Sequence, residues 1–356
     1  MPTLKEAKER LDEIINKARV DLYKPIQIAE VLNYSRINQN IDIEDPDQYR
    51  NPSLKWRNDI TIRFTGKKST SSARYQHDVW NETAMHPTIL SVLDIENKRL
   101  NGVVERYIYQ KYFDKLNVVS NIITYVKSST TKTFSLTDLI NLFLHTNGLK
   151  RSIDKAYEIV SYSLFETIVC ALDAQVELKI NRSKKHILEE FPELAQVLLG
   201  IDPNSLTFST QAHIYRVGVT NAADRGLDMW ANFGIAIQVK HLTLNSELAN
   251  SIVDQVECDN IVIVCTDADA TAIETITKQI GWGKRVKGII KESDLVTWYE
   301  KCLRGKYSHE LGEKLLLELV NSFEKEFPQA ENNIKDEFFV EREYNLLAPN
   351  KFWDPC

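Results

Sequence analysis

Asp224-Arg225-Gly226-Leu227-Asp228-Met229-Trp230-Ala231-Asn232-Phe233-Gly234-Ile235-Ala236-Ile237-Gln238-Val239-Lys240 is the stretch on which the reading of this chain turns. Leu227 to Trp230 and Gly234 to Lys240 read as two strands of a hairpin, with Asn232-Phe233-Gly234 supplying the turn. Side chains alternate along a strand, so Gln238 and Lys240 share one face, while Val239 points the other way with Ile235 and Ile237. Asp228 lies on the partner strand. A carboxylate, an amide and an ammonium are thus expected to converge.

The flanks carry an α/β pattern. Upstream, Ser152 to Leu172 is an amphipathic helix and Gln175 to Ile180 alternates as a strand. An insertion rich in Lys, Glu and Leu (Ser183 to Gly200) then leads into Ala212 to Val219. Downstream come a helix (Ser246 to Val256), an apolar strand (Asn260 to Cys265), a helix (Ala270 to Ile280), a strand (Val286 to Ile290) and a helix (Ser293 to Leu303). This order predicts a mixed sheet flanked by helices, with a core at about 150–305. Residues 1–149 read as mostly helical: Leu4 to Val31, a helix around Ile89 to Leu93, Gly102 to Leu116, and Ser135 to His145 with Ser135 as N-cap. Asp45-Pro46 and Asn51-Pro52 break the chain, and Ile60-Thr61-Ile62-Arg63-Phe64 alternates like a short strand. Residues 306–356 are expected to pack back on the core.

Phosphodiester hydrolysis uses such a trio. Mg²⁺ prefers oxygen ligands and binds through one or two carboxylates plus phosphate and water. Asp228 is the expected direct ligand, with the Gln238 amide oxygen and the Val239 carbonyl completing the protein side. The Lys240 ammonium orients the attacking water and stabilises added negative charge. Alone, the spacing also fits a surface hairpin with a solvated Asp and Lys; the flanking elements favour the chemical reading.

These residues resemble the PD-(D/E)xK nuclease superfamily, with Gln238 standing where the second carboxylate is usual. A neutral ligand holds Mg²⁺ more weakly, so a further acid is called for. The resemblance implies Glu166, in Tyr162-Ser163-Leu164-Phe165-Glu166-Thr167, at the place of the helical Glu of that superfamily. Glu177 is an alternative ligand. Leu4-Lys5-Glu6-Ala7-Lys8, Tyr23-Lys24-Pro25-Ile26-Gln27-Ile28-Ala29-Glu30-Val31 and the later core are similar to HaeII-type restriction endonucleases over nearly the whole chain. That likeness implies a restriction-endonuclease-like fold and a type II enzyme. It also implies a homodimer cutting double-stranded DNA at a short G/C-rich palindrome of the form RGCGCY. Rival readings are a modification-dependent or structure-specific nuclease of the same superfamily, and a non-catalytic DNA-binding protein.

Lys55 to Arg74 gathers Lys55, Arg57, Arg63, Lys67, Lys68 and Arg74 against Asp59. With Gln76 and interleaved Ser and Thr, it is a candidate for phosphate and base contacts or, equally, a solvated basic loop. Asp224 and Arg225 either contact phosphate or form a turn. Tyr107, Tyr109, Tyr112 and Phe113 sit at helical spacing, which favours core or dimer interface over base stacking.

Composition bounds the rest. Of 356 residues 43% are hydrophobic and 26% charged, which marks an ordinary globular chain able to bury a core. No run reaches the roughly 18 apolar residues of a membrane span, and the N-terminus carries no apolar signal region, so a cytoplasmic location is expected. A net charge of −6 leaves DNA binding to a local field rather than a basic coat. The five cysteines are dispersed and without CxxC pairs, and the seven histidines form no HExxH or HxxxH pair; neither pattern suggests a disulfide framework or a zinc site. Gly66-Lys67-Lys68-Ser69 lacks the first glycine of a phosphate loop, since Thr61 stands there. No GxGxxG follows a strand, which removes dinucleotide binding.

Overall fold

Alternation in Ala236 to Leu244 builds the strand around which the sheet assembles. A computed structural model describes residues 2–18, 23–38, 40–66, 79–146, 149, 152–217, 227–255, 258–268, 285–327 and 334–354. Five strands, β3 (Ile214–Arg216), β4 (Met229–Ala231), β5 (Ala236–Leu244), β6 (Ile261–Ala268) and β7 (Val286–Lys291), lie side by side in chain order. The first two pairings are antiparallel and the last two parallel. The mixed sheet is therefore a hairpin extended by crossover units, as the α/β pattern anticipates. Helix α10 (Ser246–Gln255) joins β5 to β6. The expected helix at Ala270 to Ile280 lies outside the described residues.

Each face of the sheet has its own core. Ile237, Val239 and Val264 enter the main cluster, while Ala236, Leu244, Ala249, Ile252, Ile261, Ile263, Cys265 and Val286 form a second, smaller one. Helix α7 (Ile153–Ala171) covers the first face, packed on β5 and β3. Helices α11 (Glu292–Arg304) and α12 (Ser308–Glu326) pack on α7 in turn.

The N-terminal region is helical, as expected: α1 (Leu4–Lys17), α2 (Tyr23–Asn38), α3 (Pro52–Thr65), α4 (Pro87–Arg99), α5 (Val103–Ser128) and α6 (Leu136–His145). Ser135 caps α6 by accepting from the Asp138 N–H at 3.1 Å. Tyr107, Tyr109, Tyr112 and Phe113 are buried in the main cluster, which makes them core rather than a stacking surface.

Three local expectations need correction. Ile60 to Phe64 belongs to helix α3, not to a strand. Pro52 starts that helix, Gly66 ends it at φ +67° with its N–H on the Ile62 carbonyl, and Ile60 and Phe64 bury one face four residues apart. The predicted strand at Gln175 exists as β1 (Gln175–Lys179), but it pairs with β2 (Thr207–Gln211) in a separate two-stranded sheet. Its exposed side chains give it no core to join, and Glu177 stands on that ribbon rather than on the sheet that carries Asp228. The segment after residue 305 divides its contacts. Helix α12 packs on α7 and α11 and also reaches α5, whereas α13 (Ile334–Glu341) and the residues beyond it pack on the N-terminal helices.

Those last contacts are polar and buried. The Glu105 carboxylate accepts from Asn33 at 2.9 Å, Arg36 at 2.9 and 3.1 Å, Asn97 at 2.5 Å and the Tyr344 hydroxyl at 2.7 Å. Glu30 accepts from the Tyr109 hydroxyl at 2.5 Å and from Arg342 at 3.1 Å. Burial pushes the Glu30 carboxyl up, against the pull of Arg342.

Candidate active site

The hairpin turn brings the trio together. The Ala231 N–H donates the closing hydrogen bond to the Ile235 carbonyl at 2.8 Å, and Gly234 takes φ +88°, a conformation that a side chain would strain. The Val217 N–H donates to the Asp228 carbonyl at 2.9 Å, so Asp228 is held at the head of β4. Its carboxylate Oδ2 receives two donors from β5: the Gln238 side-chain amide at 2.5 Å and the Val239 backbone N–H at 2.7 Å.

Gln238 is 2% exposed, and its Oε1 is buried without a hydrogen-bond partner among the described residues. Burying an amide oxygen without a donor costs roughly 1–3 kcal/mol, so this atom is a conspicuous place for a cation to be received. An oxygen-rich set of the Asp228 carboxylate and the Gln238 carbonyl fits Mg²⁺ by chemistry. Lys240 lies two residues on, on the same face and partly exposed.

Burial raises the Asp228 carboxyl above the ordinary Asp range. The Val239 N–H and the charges of Lys240 and Lys155 pull it down, while Asp154 pushes it up. Asp154, Lys155 and Glu158 all come from the first turns of α7. Asp154 bonds His241 Nδ1, Lys155 grips Glu158 at 2.6 and 2.9 Å, and Arg216 is shared between Glu326 at 2.6 Å and Glu158 at 3.9 Å. Glu158 is buried, its carboxyl is raised by burial, and the Asp228 charge adds to that rise.

Glu166, the acid singled out in the sequence, sits at another level of the sheet. It accepts from the Ile214 N–H at 2.7 Å and contacts His213 Nδ1 at 2.8 Å, beside the start of β3. Asp228 stands opposite Val217, beyond the end of that strand. Three strand residues span about 10 Å and eight helical residues about 12 Å, so the helix level that meets Asp228 is Glu158. A sequence signal for this existed in the bunching of Asp154, Lys155 and Glu158 at one end of α7. It was masked because Glu158 looks like half of an ordinary i,i+3 ion pair.

Among the candidate DNA contacts, Arg63 is engaged within the chain, 2.7 Å from Glu341 and stacked over Phe338. Arg57, unlike Arg63, is buried, bonded to Gln27 and Asn58. Lys67, Lys68, Arg74, Gln76, Asp224 and Arg225 lie outside the described residues.

A family model of the HaeII restriction endonuclease matches residues 7–344. The chain belongs to the HaeII restriction endonuclease family. It is 48% identical to the type II restriction enzyme HaeII of Haemophilus aegyptius, across 97% of this chain and 98% of that protein. It is 44% identical to the type II restriction enzyme NgoBI of Neisseria gonorrhoeae, across 96% and 97%. No solved structure matches. As a HaeII-family member the chain aligns with these relatives over nearly its whole length, through the helices before the sheet and most of the segment after it.

Proposed function

We propose that this chain is a type II restriction endonuclease that hydrolyses double-stranded DNA at a short G/C-rich palindrome of the form RGCGCY, using Mg²⁺ at Asp228 and Gln238. The observation that carries the reading is the buried Gln238 Oε1, without a partner among the described residues, beside a carboxylate that two β5 donors hold in place. Asp228, Gln238 Oε1 and the Val239 carbonyl would hold the ion, which supplies Lewis acidity toward the scissile phosphate and its attacking water. Lys240 directs an ammonium at the developing negative charge and keeps the attacking water oriented. Glu158 provides the second acid that a neutral Gln238 leaves wanting, in place of Glu166.

DNA contact is assigned to Lys67, Lys68, Arg74, Gln76, Asp224 and Arg225. A two-fold palindrome calls for a homodimer in which each subunit cuts one strand. Phe191, Leu194, Val197 and Leu198, exposed on and before helix α9 (Pro192–Leu199), are apolar surface that such a dimer has reason to cover. Among the described residues no helix is long and apolar enough to cross a membrane.

The test is incubation with unmodified and methylated plasmid and phage DNA, in Mg²⁺ or in EDTA, with the ends sequenced. Discrete Mg²⁺-dependent fragments ending at one palindrome are expected from the wild type. Lys240→Ala should bind the same DNA without cutting it. Cutting confined to methylated DNA would replace this reading with a modification-dependent nuclease, and binding without any cutting would make the protein a non-catalytic reader.

A further inference from the structure

Two residues one helical turn apart on α7, Glu166 and Cys170, face His213 in the link between β2 and β3. Cys170 Sγ lies 3.1 Å from Glu166 Oε1 and 3.9 Å from His213 Nδ1, and that nitrogen lies 2.8 Å from the same Glu166 oxygen. All three potential ligand atoms fall within 4.8 Å of one another. We propose that Glu166, Cys170 and His213 form a Zn²⁺ site, separate from the cleavage centre, that fastens the end of α7 to the start of β3.

The geometry argues against a nucleophilic triad. There the thiol and the carboxylate engage opposite ring nitrogens, so that a proton can pass through the imidazole. Here both approach Nδ1, which leaves no relay, but it is how three ligands look when they point at one centre. Zinc bonds of about 2.0–2.3 Å in tetrahedral array put neighbouring ligand atoms about 3.3–3.8 Å apart. The observed separations of 2.8, 3.1 and 3.9 Å straddle that range, so small side-chain rotations suffice.

The donor set selects the ion. Thiolate, imidazole and carboxylate suit a borderline-soft cation such as Zn²⁺, whereas Mg²⁺ demands oxygen throughout. The scaffold is also ordered for the task. Glu166 Oε2 is occupied by the Ile214 N–H at 2.7 Å, which turns Oε1 toward the other two groups. The His213 N–H donates to Asn232 Oδ1 at 2.9 Å, and the Asn232 N–H donates to the His213 carbonyl at 3.2 Å. The turn that carries the catalytic hairpin therefore also fixes the histidine. Such outer partners orient metal ligands. Cys170 is exposed and His213 partly so, which leaves an entry path and a fourth position for water. On binding, the Cys170 thiol gives its proton to solvent and bonds as thiolate.

The full-length chain, stripped with a chelator and desalted, is titrated with Zn²⁺ alone and, as a spectroscopic probe, with Co²⁺ alone. One ion per chain with a thiolate-to-cobalt charge-transfer absorption is expected, apart from any ion that the Asp228 site takes, together with a Zn²⁺-dependent rise in Tm. Cys170→Ser and His213→Ala should each weaken binding by about 10-fold or more and abolish that absorption. Asp228→Ala and Cys258→Ser should retain it. Substoichiometric Zn²⁺, a Co²⁺ spectrum without thiolate character, or unchanged affinity in Cys170→Ser would each overturn the site. Wild-type binding and spectrum decide the matter even if a variant folds poorly, and neither depends on DNA cleavage.

Discussion

The Gln238 side chain donates to Asp228 Oδ2 across 2.5 Å and leaves its own carbonyl oxygen buried, without a donor among the described residues. The amide thus does two jobs at once. Its nitrogen donates to the carboxylate, and on the proposed reading its oxygen would receive the cation. Gln238→Glu removes the donor and sets two carboxylates in contact. Like charges so close raise one pKa, and each unit of that rise is about 1.4 kcal/mol of lost stability. In EDTA the variant should unfold at lower urea than the wild type. Mg²⁺ should recover much of the loss, because a second anionic ligand binds the ion more tightly. Equal urea midpoints in EDTA would mean that the two side chains do not meet.

Proton competition at Asp228 sets a pH dependence. Burial holds its carboxyl above the ordinary Asp range, and only the ionised form receives a metal. As pH falls through that raised value, Mg²⁺ affinity should weaken by up to about tenfold per unit, beginning at a higher pH than an ordinary aspartate, near 4, would give. Without metal the sign is opposite for folding. The native state keeps the proton longer than the unfolded chain does, so this group's contribution is full below the unfolded pKa and is lost as pH rises through the folded one. Asp228→Asn should flatten both dependences, as calorimetric Mg²⁺ titrations and urea midpoints across pH will show.

How far these features were legible depended on whether local pattern or tertiary packing decides them. The hairpin that carries Asp228 and Gln238 could be read because strand alternation and the left-handed Gly234 are properties of a few adjacent residues. Ile60 to Phe64 misled because I-T-I-R-F alternates, while the signals that make it helical, Pro52 and Gly66, lie outside those five residues. The choice between Glu158 and Glu166 was beyond local pattern. Both occupy one helix, and only the level at which α7 crosses the sheet puts one beside Asp228 and the other beside His213. The Cys170 and His213 pairing is likewise long-range, 43 residues apart in the chain.

That crossing level makes a direct comparison available. Glu158→Gln keeps shape and removes charge beside Asp228, so cleavage should fall by about 10²–10³-fold at saturating Mg²⁺, as for loss of other preorganised electrostatic groups. Glu166→Gln alters a carboxylate at the other end of β3 from Asp228 and keeps an acceptor for the Ile214 N–H, so single-turnover cleavage should stay within about threefold of wild type. Rates measured under single-turnover conditions separate these effects from product release. The reverse ranking would return the catalytic acid to Glu166.

Glu105 offers a test of stability independent of chemistry. Its fully buried carboxylate collects Asn33, Arg36, Asn97 and Tyr344, and so joins α2, α4 and α5 to the chain's last residues. Glu105→Ala strands Arg36 and three polar groups together, and breaking a buried pair from one side costs about 3–5 kcal/mol. The urea midpoint should drop accordingly. Removing Tyr344 alone, by Tyr344→Phe, takes away one neutral donor to a charged acceptor and should cost only about 1.5–3 kcal/mol. Because both residues serve the same network, the double variant should lose less than the sum of the two. Strict additivity in the double-mutant cycle would show that the C-terminal residues are held by apolar packing and not by this carboxylate.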